Sequence, residues 1–233
     1  MELPKMEEVI FLKRYKRFLA DIENSKGHKE TVYCPNTGTM TGCDIPNSKA
    51  WISDSYNHQR KYRKTLEFVE TLEGIIGVRS VLANKLVEEA FAKGVLIGAG
   101  ALELIRSEPK IPGENGRFDF LYTQHDQRIF IEVKSVSWLV DKQVGIFPDS
   151  VSTRALRHLD ALCKVREAGH RSILIFCAQH TGIKEIKPSI ETDPKYFDAL
   201  AMAMDMGVEV IALGCSNNLL NYNADREISF KLR

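Results

Sequence analysis

A chain of 233 residues that is 44% hydrophobic and 27% charged can bury a sizeable core, which excludes a disordered segment or a disulfide scaffold. Its net charge of +1 excludes long-range attraction to a polyanion, so any hold on nucleic acid must come from a local basic patch. Five scattered cysteines without a CxxC pair read as buried reduced thiols, and the absence of a signal-peptide core or a bilayer-length apolar run predicts a cytoplasmic, non-membrane protein.

The first eighty residues read as β structure. Ile10 to Ile22 lacks helix caps and contains alternating stretches, with Phe18, Ala20 and Ile22 on one side. His28 to Cys34, Ala50 to Ser53, Thr65 to Thr71 and Gly74 to Arg79 are further strand candidates, and turn formers crowd the stretch from Cys34 to Gly42. Short strands with turns between them predict a small barrel over residues 1–80.

Near Ser80 the period changes from two to 3.6. Ser80 is placed to cap a helix through Leu82, Leu86, Val87, Ala90 and Phe91 that stops at Gly94. Strands are expected over Ala101 to Arg106, Arg117 to Tyr122 and Arg128 to Val136. A helix from about Ser152 to Ala168 follows, then the continuous apolar strand Ser172 to Ala178, of the kind buried on both faces. A helix over Pro194 to Met206 and a strand over Val208 to Leu213 complete an α/β domain spanning 81–233 with the order α-β-β-β-α-β-α-β.

The chemistry concentrates in Arg117-Phe118-Asp119-Phe120 and Ile131-Glu132-Val133-Lys134-Ser135. On a strand, Glu132 and Lys134 share a face. If the intervening hairpin turns at His125 and Asp126, Asp119 falls opposite Glu132, where facing like charges are destabilising. A hard divalent cation between the carboxylates removes that penalty, and oxygen ligands suit Mg²⁺ or Mn²⁺. Lys134 would then lie where it can orient water or stabilise phosphate charge. The bland alternative is an exposed hairpin with a cross-strand ion pair. The apolar flanks Phe118, Phe120, Ile129, Ile131 and Val133 argue for burial instead, and buried acids need a partner or a metal.

An Asp, then a strand carrying Glu-x-Lys, in this α-β-β-β-α-β setting resembles the PD-(D/E)XK nuclease superfamily. The whole chain resembles the sugar fermentation stimulation protein A family more specifically. The matching stretches are Arg14-Tyr15-Lys16-Arg17-Phe18, Cys34-Pro35-Asn36-Thr37-Gly38, Met40-Thr41-Gly42, Thr65-Leu66-Glu67, Asn84 to Ala90, Arg117 to Phe120, Glu132 to Val136 and Phe147-Pro148-Asp149. The resemblance implies an OB-like N-terminal barrel, a nuclease-like second domain with a mixed sheet, and DNA as partner. It implies Asp119 and Glu132 as metal ligands and Lys134 as the catalytic lysine. The superfamily's Pro-Asp pair is Phe118-Asp119 here, so only the acid is kept.

Nucleases of this type often add an acid from the helix before the sheet. Glu88 shares a face with Asn84 and is the expected third ligand, with Glu89 beside it; the alternative for both is solvated surface. Arg154 and His158, four apart on the later helix, are candidates for a phosphate contact or for an exposed amphipathic face. On the barrel, Lys13-Arg14-Tyr15-Lys16-Arg17 and the patch Arg60, Lys61 and Arg63 interleave charge with tyrosine, as binders of single strands require. Asn36 opens a loop that either binds phosphate or shapes a turn. Together these features point to a DNA phosphodiesterase with little sequence readout. The alternative is a non-catalytic DNA-binding regulator of sugar metabolism. A homodimer would suit cutting of a duplex, and the sequence marks no interface for one.

Overall fold

The computed structural model describes residues 1–36, 38–96 and 102–233. Thr37 of the Asn36 loop and Ala101, the first residue of one expected strand, lie outside them. Six strands come first: β1 (Met6–Tyr15), β2 (Leu19–Glu23), β3 (Lys29–Tyr33), β4 (Lys49–Asp54), β5 (Lys64–Thr71) and β6 (Gly74–Gly77). They form one sheet in the order β3-β2-β1-β4-β5-β6, and a parallel pairing of Tyr33 with Thr65 closes β3 onto β5. The closed ring is therefore β1-β2-β3-β5-β4, the five-stranded barrel of an OB domain. Alternation puts Val9, Phe11, Ala20, Ile22, Val32, Ile52 and Leu66 into its core.

The alternating stretches between Ile10 and Ile22 belong to two strands, β1 and β2. Lys16 and Arg17 take positive φ angles of 49° and 62° to make the turn between them. Phe18 leaves that turn 44% exposed, while Ala20 and Ile22 are buried as expected.

The rest comprises α1 (Leu82–Ala92), β7 (Glu103–Ser107), β8 (Phe120–Gln124), β9 (Gln127–Val136), β10 (Trp138–Val140), β11 (Val144–Phe147), α2 (Thr153–Glu167), β12 (Arg171–Ala178), β13 (Glu185–Pro188), α3 (Pro194–Asp205), β14 (Glu209–Asn217), β15 (Tyr222–Glu227) and β16 (Ser229–Phe230). The main sheet runs β15-β14-β12-β9-β8-β7. It is mixed: β12 is parallel to both β9 and β14, and the outer pairings are antiparallel. α1 packs on one face with Ile129, Ile131 and Val133. α2 and α3 cover the other with Phe130 and Val136. A small second sheet, β10-β11-β13-β16, was not anticipated. Its strands are two to four residues long, too short for a period of two to register.

Ser80 does not cap α1. The residue before the helix is Val81, with helical backbone and no side-chain cap. The Leu82 and Ala83 amides instead donate to the Arg79 and Ser80 carbonyls in a tight entry turn. α2 does begin on a serine cap, with Ser152 Oγ accepting from the Ala155 amide at 3.1 Å.

The barrel joins the second domain through backbone. β6 lies against the segment after β12, where Gly77 N–H donates to the Gln179 carbonyl at 2.8 Å and Thr181 N–H to the Ile75 carbonyl at 3.0 Å. A Cβ on Gly77 would stand 2.7 Å from the Tyr222 hydroxyl, so this seam requires glycine.

Candidate active site

The β8–β9 hairpin turns where expected, with His125 and Asp126 at φ 47° and 65° and Gln124 paired to Gln127. The ladder runs back to Phe120 opposite Ile131, and one further step sets Asp119 opposite Glu132. Asp119 is held at three points. Its amide donates to the Ile131 carbonyl at 3.1 Å. Its Oδ2 accepts from the Val133 amide at 2.7 Å, and its Oδ1 accepts from Asn84 Nδ2 of α1 at 2.7 Å.

Glu132 is 3% exposed. Its Oε1 accepts from Lys134 Nζ at 2.5 Å and is hydrogen-bonded to His158 Nδ1 of α2. Its Oε2 is buried without a partner. Burial, and then the charge of Glu132, push the Asp119 carboxyl above the ordinary aspartate range. Burial also works against ionisation of Glu132, but the Lys134 charge and the His158 hydrogen bond outweigh it and hold this carboxyl below its usual range. Two acids facing each other thus sit in opposite electrostatic states.

An all-oxygen carboxylate pair with one orphaned oxygen fits a hard divalent ion, whose remaining positions would go to water and substrate oxygens. Among the described residues no cluster of three or more acid, His or Cys side chains is close enough to make a complete cage. Glu88 is exposed, and the α1 side chain that reaches Asp119 is Asn84, one turn earlier. Glu89 instead binds the N-terminal ammonium at 2.6 Å.

His158 is 6% exposed, and its hydrogen bonds run to Glu132 and Lys134 rather than outward. Arg154 is exposed and lines a concavity of about 380 Å³ with Asp119, Arg117, His158 and Arg157. Arg157 was not singled out from the sequence, although its place three residues after Arg154 on an amphipathic helix was the available signal.

The barrel residues separate into two groups. Arg14 is engaged internally: its guanidinium donates to the carbonyls of Arg17, Thr39, Asn36 and Gly38 at 2.8–3.0 Å. Asn36 is 9% exposed, donates to the Val78 carbonyl at 3.0 Å and accepts from the Gly38 amide at 2.8 Å. It shapes the loop. Arg63 pairs with Asp54 at 2.8 Å, and the Tyr15 hydroxyl bonds Asp21 and Thr31. Lys13 lies over the Tyr15 ring and Lys61 over Tyr62, while Arg60 covers Tyr33. Lys16 and Arg17 are exposed in the β1–β2 turn.

The fold and site together define a protein in which an OB barrel is fused to an α/β domain that sets a buried glutamate between a partly buried aspartate and a partly buried lysine. Two family models match it: the SfsA N-terminal OB domain over residues 12–78 and the sugar fermentation stimulation protein RE domain over residues 81–220. The chain is 43% identical over 211 residues to a sugar fermentation stimulation protein homolog of Teredinibacter turnerae, covering 90% of each. It is 44% identical over 204 residues to the homolog of Saccharophagus degradans, covering 87% of this chain and 88% of that one. The solved structure of Pyrococcus furiosus SfsA in complex with Ca²⁺ matches 99% of this chain and 98% of that one, at TM-score 0.88 and 27% identity. The chain belongs to the sugar fermentation stimulation protein family.

Proposed function

We propose that the chain is a DNA-binding phosphodiesterase dependent on Mg²⁺ or Mn²⁺ and working in the cytoplasm with little sequence readout. The observation that carries this is the buried Glu132 facing the half-buried Asp119, with a carboxylate oxygen of Glu132 left unpartnered beside Lys134. Burying one acid opposite another is costly, and a structural role would call for neither the second acid nor the orphaned oxygen. The Ca²⁺ in the Pyrococcus furiosus relative supports a divalent ion on this chain as well.

Asp119 and Glu132 would hold the ion, with His158 and Asn84 fixing the two carboxylates in place. A bound divalent ion supplies an acidified water and neutralises charge on a phosphate. Lys134 presents its ammonium on the same strand face as Glu132, where it stabilises negative charge developing on phosphate oxygens. Oxygens of the phosphate backbone, common to all sequences, are what such a site recognises. A homodimer would place two sites on opposite strands of a duplex. No helix among the described residues is long and apolar enough to cross a membrane.

One observation favours a second reading, a DNA-binding regulator that does not cleave. Among the described residues the acids form no complete metal cage. Labelled single- and double-stranded DNA, incubated with Mg²⁺, Mn²⁺ or EDTA, separates the two. The nuclease reading expects metal-dependent cleavage that falls at least a hundredfold in both Glu132→Ala and Lys134→Ala. DNA retained in a salt-sensitive way but left intact under every condition establishes the regulator.

A further inference from the structure

We infer that the nucleic-acid backbone approaches the carboxylates along the α/β domain's own surface, over β7, β8 and the start of β9, and not across the basic segments of the barrel. The inference rests on the nuclease reading and specifies the path of its substrate.

Alternation on β9 sets Arg128, Phe130, Glu132 and Lys134 on one face of the strand. The face therefore leads from an arginine beside the hairpin turn to the buried glutamate. Four residues of strand cover about 13 Å. Across this face the register carries Phe130 to Leu121 of β8 and Leu121 to Arg106 of β7. β7 is the edge of the sheet, and all five of its residues are exposed. Arg106, Lys110, Arg117 and Arg128 surround a concavity of about 640 Å³ floored by Leu121 and Phe130. That concavity shares Arg117 and Glu108 with the one of about 380 Å³ where Arg154, Arg157 and Asp119 meet. Through these shared residues the two adjoin as one trough that ends at Asp119.

The charges on its walls are unbalanced. Glu108 pairs with Arg117 at 3.0 Å, and Glu114 pairs with Lys164 at 2.6 Å. Arg106, Lys110, Arg128, Arg154 and Arg157 are exposed and form no ion pair among the described residues. On the barrel Arg14 is engaged with backbone carbonyls, Arg63 with Asp54 and Lys13 with Asp21, while Lys16, Arg17, Arg60 and Lys61 form no ion pair among the described residues but line neither of the two concavities. Cations without internal partners are the ones left to neutralise phosphates. A 13 Å run along a duplex passes roughly four phosphates of one strand, comparable to the number of cations along the trough.

The test compares two triple variants, Arg106→Gln/Lys110→Gln/Arg128→Gln on the trough and Lys13→Gln/Lys16→Gln/Arg17→Gln on the barrel. Binding to a fluorescent 20-base-pair duplex and to its single strand is followed by anisotropy between 50 and 200 mM salt, with Ca²⁺ in place of Mg²⁺. The trough variant is expected to bind at least tenfold more weakly, with a log–log salt slope shallower by about 2–3, while its melting temperature stays at the wild-type value. The barrel variant is expected to keep most of the affinity and slope. If the barrel variant loses binding and the trough variant does not, the path is overturned while DNA binding stands. A wild-type protein that retains neither DNA overturns the path and the nuclease reading together.

Discussion

Glu67 in the barrel and Glu132 in the α/β domain are both 3% exposed, yet their surroundings differ in one respect. Glu67 Oε1 accepts from Ser53 Oγ at 2.6 Å and from Arg79 Nη1 at 3.2 Å. The orphan in that cluster is a donor, Arg79 Nε, on a side chain that is 38% exposed. Around Glu132 the orphan is an acceptor, Oε2, and a second, half-buried acid stands across the ladder. The first arrangement is electrically closed: one acid faces one cation. The second has room for another positive charge. A buried carboxylate thus marks structure where its charge is matched, and marks a site where acid outnumbers cation.

This contrast can be broken most directly from the barrel side. Glu67→Ala leaves the Arg79 guanidinium and the Ser53 hydroxyl without their acceptor. The expected cost is about 3 kcal/mol in a denaturant titration, at the low end for breaking a buried pair because Arg79 is partly solvated. A loss under 1 kcal/mol would mean that Glu67 is as loosely tied as its surroundings allow, and the contrast with Glu132 would disappear.

From the other side, a divalent ion at a hundred times its dissociation constant should stabilise the fold by about 2.7 kcal/mol. For a chain of this size that corresponds to a rise in melting temperature of roughly 5–10 °C. Asp119→Asn should abolish the rise, and Glu67 variants should retain it. No shift with Mg²⁺, Mn²⁺ or Ca²⁺ would show that the acidic excess at Glu132 does not attract a cation.

His180 sits at the seam between the two regions and sharpens the comparison through pH. Its Nδ1 accepts from the Gly182 amide at 3.0 Å, and burial depresses its pKa to about 4. A histidine held neutral in the fold takes up a proton first in the unfolded chain. Its contribution is therefore fully present above about pH 6.5 and is lost as pH falls towards 4. At pH 5 the loss is about 2 kcal/mol. His180→Asn, whose side-chain oxygen can replace Nδ1 as acceptor, should flatten stability between pH 7 and 5; an unchanged slope would assign the acid sensitivity elsewhere.

The difference between the two glutamates was only half legible in the sequence. Glu132 could be found because Glu-x-Lys lies on an apolar strand and the hairpin turn at His125 and Asp126 fixes its register to Asp119. Glu67 reads as part of a strand and of one stretch that carries the family resemblance, but its pairing does not show, since its partner Arg79 is twelve residues away, past the β5–β6 turn. The barrel strands and the order of the larger α/β elements followed from periods of two and 3.6, and fixed most of the fold. Contacts set by tertiary approach did not show. Arg14 reads as a surface cation in a basic run, and only the approach of Asn36, Gly38 and Thr39, with the turn at Arg17, converts it into a clamp on four carbonyls. His158 reads as one face of a helix, and only the packing of α2 against β9 turns it inward to Glu132.

Asn84 offers the finest probe of the acidic side. It lies on α1 one turn before Glu88, the acid expected there, and donates an uncharged N–H to Asp119 Oδ1 at 2.7 Å. An acid there would have placed a third negative charge beside Asp119, whose carboxyl burial and the Glu132 charge already push up. An amide does the opposite: it favours the ionised form that a metal needs, and adds no charge. Asn84→Ala removes that donor and leaves one half-buried carboxylate oxygen without it, at a cost of about 1 kcal/mol. With its donor gone, Asp119 should hold a proton to higher pH, so Mn²⁺ affinity measured by calorimetry should fall more at pH 6 than at pH 8. Asn84→Asp should weaken Mn²⁺ binding if the amide is there to keep charge low, and strengthen it if the position serves as a third ligand. The sign of that one change decides between the helix as a hydrogen-bond donor to the site and the helix as a supplier of the third acid.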